Sequence, residues 1–213
     1  MKTFLFSLLT LLFVASSCGP KIYKNPDFEE KTARHKIVAI MPADVDISLR
    51  PNDMKKITAA QLEEMQTKTG QNIQDNMYSW FLRRSDRFKY TVSFQDISKT
   101  NTLLLKNDIT PANIKTKTKE ELAAMLGVDA IISTNAIMQK PMSDGAAVAL
   151  GVLFGTWGST NDVKTSINIH DGKDGSLVWK YDYTAGGSVG SNTQNLVNAL
   201  MRNASKKFPY NDK

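Results

Sequence analysis

Apolar residues change their spacing along this chain in a fixed order, and that order restricts the fold more than any single motif does. Lys36 to Met41 is a β-branched run stopped by Pro42, which reads as a buried strand. From Asp53 to Arg84 the spacing turns helical, with Leu62, Met65, Thr69, Ile73, Met77 and Trp80 three or four residues apart on one face. Gly70 interrupts that face and marks either a break or a close packing contact. Arg87 to Gln95 alternates Phe88, Tyr90, Val92 and Phe94, the pattern of a half-buried strand. Thr110-Pro111 offers a helix start. A cleaner start follows, with Thr118 as N-cap and Glu121 as its capping-box partner; that helix carries Leu122, Met125 and Leu126 and stops at Gly127. Val128 to Met138 is then a strand. Val163 to Ile169 and Leu177 to Tyr183 alternate on either side of Asp171-Gly172-Lys173-Asp174-Gly175, a hairpin with a glycine-containing loop. Ser191 and Gln194 open a last helix, whose face is Leu196, Val197, Leu200, Met201 and Ala204 and which ends near Pro209.

The resulting order is β-α-β-α-β-β-β-α. Strands separated by helices favour parallel pairing, because the crossover returns the chain to the same edge, while the late hairpin adds antiparallel strands. The expectation is an α/β fold: a single mixed β-sheet with helices packed on it.

Ahead of this domain the sequence reads as an address. Met1-Lys2 is positive, Phe4 to Val14 is an apolar and hydroxyl run too short to span a bilayer, and Ala15-Ser16-Ser17 is a small-residue cleavage region. Cys18, the only cysteine, stands directly behind it and has no partner for an internal disulfide. The arrangement resembles a bacterial lipoprotein signal, in which cleavage falls before a cysteine that then carries acyl chains. Ala15 stands where the motif prefers Leu, and Gly19 follows the cysteine where Asp would suggest inner-membrane retention. An ordinary cleaved signal and an uncleaved anchor are the competing readings. The expected organisation is a signal peptide over 1–17, a lipidated N-terminus and tether over 18–34, and one periplasmic domain over 35–213. Within it, 142–159 is an apolar, glycine-rich insertion. The tether, polar and without an apolar period, would reach on the order of 50 Å if extended; an ordered arm lying on the domain is the other reading of the same residues. The expected location is the outer membrane, facing the periplasm.

The folded residues also resemble a known group. KIVAIMPA looks like the first strand of periplasmic domains found in the curli-secretion lipoprotein CsgG, the penicillin-binding-protein activator LpoB and the amino-terminal domain of TolB. ELAAMLGVDAIISTNAI resembles their helix, glycine turn and strand, and SINIHDGKDGSLVWKYDY their hairpin with a Trp-bearing strand. The resemblance implies a domain that binds other envelope proteins, and it carries over no catalytic residues.

Chemistry is thinly marked. The net charge of +6 falls by one when Lys2 leaves, and an exported chain is an unlikely partner for nucleic acid; anionic lipid or cell-wall polymer fits better. The basic groups Arg83-Arg84 with Arg87 and Lys89, and Lys206-Lys207, sit at expected helix C-termini, where the helix dipole favours them. With only His35 and His170, a histidine-rich metal site is excluded, and no cofactor is expected. His170-Asp171 reads as a polar strand end, and Asp44 with Asp46 as a weak ligand pair after a strand. The most suggestive stretch is Gly145 to Gly158, which passes without a charge. As a helix it would align Ala147, Gly151 and Gly155 in a small-x-x-x-small ridge beside Phe154 and Trp157. Burial, self-association and membrane contact are its three open uses. The sequence therefore points to a non-enzymatic, lipid-anchored binding or assembly protein, with membrane, envelope proteins and further copies as partners. The alternatives are a subunit of an oligomeric outer-membrane secretion channel and a cell-wall or lipid hydrolase.

Overall fold

The β-branched run expected at the start of the domain is the strand β2, Ile37–Ile40, with Val38, Ala39 and Ile40 fully buried. It lies inside a seven-stranded mixed sheet of order β1-β7-β6-β5-β2-β4, with β3 paired to β5 beside β2. The computed structural model describes residues 21–49, 51–139, 162–186 and 193–211. The strands are β1 (Ile22–Lys24), β2, β3 (Asp44–Ser48), β4 (Ser93–Phe94), β5 (Ala130–Gln139), β6 (Asp162–Asp171) and β7 (Leu177–Gly186). The helices are α1 (Phe28–Ala33), α2 (Pro51–Met54), α3 (Ala59–Phe88), α4 (Ile97–Lys106), α5 (Lys119–Leu126) and α6 (Thr193–Ala204). β5 pairs in parallel with β2 and β3, from which helices separate it, and antiparallel with β6, which in turn pairs antiparallel with β7. The mixed α/β sheet is as the order of spacing required.

α3 and α6 cover one face of the sheet. Met65, Ile73, Met77, Trp80 and Phe81 of α3 meet Leu196, Val197, Leu200 and Met201 of α6 over Val38, Ile40, Ile132 and Ile167. Among the described residues the other face is covered only at one end, where Leu104 of α4 and Leu122, Ala123 and Leu126 of α5 pack on Ala39, Met41 and Ile131. Beyond that point Asn135, Ile137 and Gln139 of β5 are exposed, together with Asp44, Asp46 and Ser48 of β3.

Local signals fix several ends. Thr118 and Glu121 form the expected capping box of α5, and Gly127 closes that helix at φ 64°, a conformation glycine adopts without a Cβ penalty. Gly70 is the close contact and not a break. Its carbonyl accepts from Ala43 N at 3.1 Å, and a Cβ there would run into the Ala43 carbonyl oxygen.

Other expectations are corrected. α3 starts at Ala59, capped by Thr58 and Gln61, and Pro51–Met54 is a separate turn of helix. At its far end α3 runs on to Phe88, because the Phe88 ring stacks on Trp80 at 5.9 Å and continues the helical stripe. Lys89, at φ 44°, then ends it, so the strand expected over 87–95 shrinks to Ser93–Phe94. β3 lies in a stretch that looks turn-rich, yet its Val45 and Ile47 point inward and its Asp44, Asp46 and Ser48 outward. α4 carries no obvious period; Asp96 caps it by accepting from Ser98 N and Lys99 N. Thr110-Pro111 leads only to turns and a short 3₁₀ segment, Ile114–Thr116. The capping box at Ser191 lies outside the described residues.

Of the two readings of residues 18–34, the described part takes the ordered arm. From Ile22 onward the polar arm is β1 and α1, laid on the sheet. Its apolar period is too short to register, but backbone pairing to β7 and the single buried anchor Phe28 substitute for one.

Candidate functional site

The arm is fastened at successive points, each with its own chemistry. Ile22, Tyr23 and Lys24 pair with Tyr181, Lys180 and Trp179, and the ladder is extended by Asp182 N to Lys21 O and Asn25 N to Val178 O, both 3.0 Å. Asn25 also donates its side-chain amide to Leu177 O at 3.2 Å and accepts Asp27 N at 2.8 Å, which turns the chain into α1. Lys24 Nζ sits 4.4 Å from the centre of the buried Phe28 ring. Lys31 then bonds the Asp174 carboxylate and the Ser176 hydroxyl of the hairpin loop. The Lys31 bond, helped by the hydroxyl and amide of Ser176, holds the Asp174 carboxyl well below the usual carboxylate range, and the same contact raises Lys31 above the ordinary lysine value.

Where the arm meets the domain, four side chains close a network, buried except at Arg34. Arg34 Nη2 contacts Asp171 Oδ2 at 2.6 Å, His35 Nε2 lies 2.9 Å from Asp171 Oδ1, and His35 Nδ1 lies 2.7 Å from the Tyr210 hydroxyl. The His35 side chain is 0% exposed and that of Asp171 1%. Burial raises the Tyr210 phenol far above its ordinary value, with the Asp171 and Asp129 charges adding to the effect, so the hydroxyl keeps its proton. The histidine tautomer with its proton on Nε2 satisfies both contacts, donating to Asp171 and accepting from Tyr210.

An aspartate, a histidine and a hydroxyl in sequence invite comparison with a nucleophilic relay. A nucleophile must reach a substrate, however, and Tyr210 is 0% exposed. The network therefore joins three distant pieces of chain: the end of the arm, the β6–β7 hairpin and the C-terminal segment. Sequence reading named His35 and Asp171 but did not connect them, and it passed over Tyr210. No local pattern marks such a contact, because His35 lies 136 positions from Asp171 and 175 from Tyr210.

The residues singled out in the sequence fare differently. Cys18 and the group Ala147, Gly151, Phe154, Gly155 and Trp157 lie outside the described residues. Asp44 is exposed and pairs with Lys115 at 2.7 Å, and Asp46 follows on the same open face. His170 stands one residue before the end of β6 with Nδ1 3.2 Å from Gly175 O, and burial lowers its pKa. Asp44 stands opposite Asn135 and His170 opposite Ile131, four residues apart along β5 and on its two sides, so more than about 13 Å divides them. They do not converge. Among the described residues no group of three His, Cys, Asp or Glu side chains is placed to hold a metal ion, and no helix is long and apolar enough to cross a membrane.

An α/β domain with one mixed sheet, its leading arm locked to a hairpin, is the class that these observations define. No protein-family model matches the chain, and comparison with curated proteins returns no match. Solved structures similar to it include the lipoprotein GNA1162 of Neisseria meningitidis, at 14% identity and TM-score 0.46 over 81% of this chain and 96% of that one. They also include a PelC dodecamer from Paraburkholderia phytofirmans, at 13% identity and TM-score 0.45 over 92% and 98% of the two chains. The C-terminal domain of Escherichia coli LpoB, one of the proteins that the sequence resembles, is similar at 8% identity and TM-score 0.36 over 84% and 93%.

Proposed function

We propose that the chain is a lipid-anchored, non-enzymatic binding or assembly protein of the bacterial cell envelope, held at Cys18 on the periplasmic side of the outer membrane. The seating of the arm is the observation that supports this most. β1 runs antiparallel to β7, from Ile22 beside Tyr181 to Lys24 beside Trp179. β1 therefore enters the sheet from the end where Gln139, Asp162 and Gly186 pair. Only three peptide steps separate Lys21 from Cys18, a span of at most about 10 Å. A lipid on Cys18 would hold this end of the sheet close to the bilayer, where a free tether would have allowed about 50 Å.

Gln139 and Asp162, the described residues nearest to the apolar segment Gly145–Gly158 on either side of it, pair with each other at that same end. Contact with the membrane or with a neighbouring copy is the use proposed for that segment. It favours, as a second reading, a subunit of an oligomeric outer-membrane channel. The burial of Asp171, His35 and Tyr210, out of reach of a substrate, supports recognition over turnover. Envelope proteins and further copies are the partners, with the membrane reached through Cys18.

Metabolic labelling with an alkyne fatty acid tests the anchor. Label should enter the wild-type chain and be absent from Cys18→Ala. Equal label in both, or none in either, removes the basis of the reading.

A further inference from the structure

The C-terminal ends of α3 and α6 meet at the sheet end opposite the one that the arm approaches. The Phe208 ring, just past α6, lies 4.9 Å from Phe81 and 6.1 Å from Tyr90. Thr91 N donates to Tyr210 O at 2.8 Å, and Tyr90 bridges to Asn211. Two basic groups more than a hundred residues apart are thereby brought together: Arg83, Arg84, Arg87 and Lys89 on one side, Lys206 and Lys207 on the other. All six are exposed, and among the described residues none forms an ion pair.

The helix dipole accounts for only part of this charge. Two helix C-termini together carry about one negative unit, and Asp86 supplies another. Among the described residues of the two helix ends, about four positive charges are left without a counterpart. Two of the cations are also held in place. The Arg84 guanidinium lies 5.3 Å from the Trp80 ring and that of Arg87 lies 5.6 Å from Phe88, over rings that stack on each other. Ordering an arginine on an aromatic surface before binding reduces the entropy lost when a partner arrives. Leu82, 52% exposed, adds an apolar patch beside the arginines.

We propose that this end is a docking surface for an acidic face of a partner protein. Six exposed side chains spread over two helix ends face a surface; they do not enclose one small anion. Guanidinium groups beside aromatic and aliphatic side chains match the composition of protein interfaces. The choice of a protein over a bilayer rests on the anchor reading, under which this end points away from the membrane holding Cys18.

The full-length chain and its Cys18→Ala form are both titrated with labelled poly-L-glutamate and, separately, with phosphatidylglycerol vesicles, over a range of salt. Both forms should bind the polypeptide, more weakly as salt rises. The triple reversal Arg83→Glu, Arg87→Glu and Lys206→Glu should weaken binding at least about tenfold, since it sets like charges against each other. The equal-charge control Lys99→Glu, Lys117→Glu and Lys173→Glu should lose no more than about twofold, and unchanged circular dichroism shows that both variants fold. Equal loss in the two triples assigns binding to net charge and overturns the proposal, as does binding that survives the first triple. Tighter vesicle binding that the first triple abolishes gives the surface to a membrane and overturns it too. Because the Cys18→Ala form is measured alongside, a failed anchor and a failed docking surface give different results.

Discussion

His35 Nε2 sits 2.9 Å from Asp171 Oδ1, so the residue that ends the N-terminal arm is bonded to the last residue of β6. Asp171 also takes Arg34, and His35 also takes Tyr210. Removing the carboxylate strips the buried partner from two donors at once, whereas removing the tyrosine hydroxyl strips one. Asp171→Ala should cost about 3 kcal/mol of stability and Tyr210→Phe about 1 kcal/mol, read from denaturant midpoints. A larger loss for Tyr210→Phe than for Asp171→Ala would show that the carboxylate is not the centre of the network.

The Lys31–Asp174 contact sets a pH window for the arm. Asp174 is depressed by its bond to Lys31, so its contribution is present above the ordinary carboxylate value and fades only as pH falls through the lower folded value. Lys31 is raised by the same bond, so its contribution is present below the ordinary lysine value and fades as pH rises past it. Hydrogen exchange of the β1 amides, corrected for intrinsic rate, should show constant protection from pH 5 to 9. It should be faster across that range in Asp174→Asn.

His170 acts in the opposite sense to a paired histidine. Burial lowers its pKa, so the unfolded chain takes up the proton more readily, and stability falls as pH drops through the ordinary value of 6.5. His170→Gln should flatten the stability–pH slope between pH 7 and 5, measured by urea unfolding. An unchanged slope would show that His170 titrates alike in both states.

Gly70 gives a test of sign. At an exposed position inside a helix, glycine to alanine adds up to about 1 kcal/mol of stability. Here the new methyl meets the Ala43 carbonyl oxygen, so Gly70→Ala should lose about 2 kcal/mol, as in an overpacked core. A raised melting temperature would mean that the Ala43 loop yields easily.

Gly151→Leu with Gly155→Leu addresses the apolar segment. If small residues there mediate association, the pair should shift detergent-extracted protein toward monomer in sedimentation and reduce crosslinking, with the circular dichroism spectrum kept. Unchanged sedimentation would leave burial or membrane contact as its use.

What could be read from the chain, and what could not, divides along the range of the interactions. The capping box of Thr118 and Glu121, the glycine stop at Gly127, the stripe on α6 and the hairpin strands all depend on neighbours a few residues away, and all were legible. The order of those signals was enough for a mixed α/β sheet, because crossover geometry leaves few other ways to pair such strands. The fate of the arm was not legible. β1 has no period of its own and exists through backbone bonds to β7, more than 150 positions away. Likewise no sequence window contains His35, Asp171 and Tyr210 together, and none shows that two basic helix ends share one end of the molecule. Short-range propensity wrote the elements, and burial across the sheet decided which distant polar groups had to find one another.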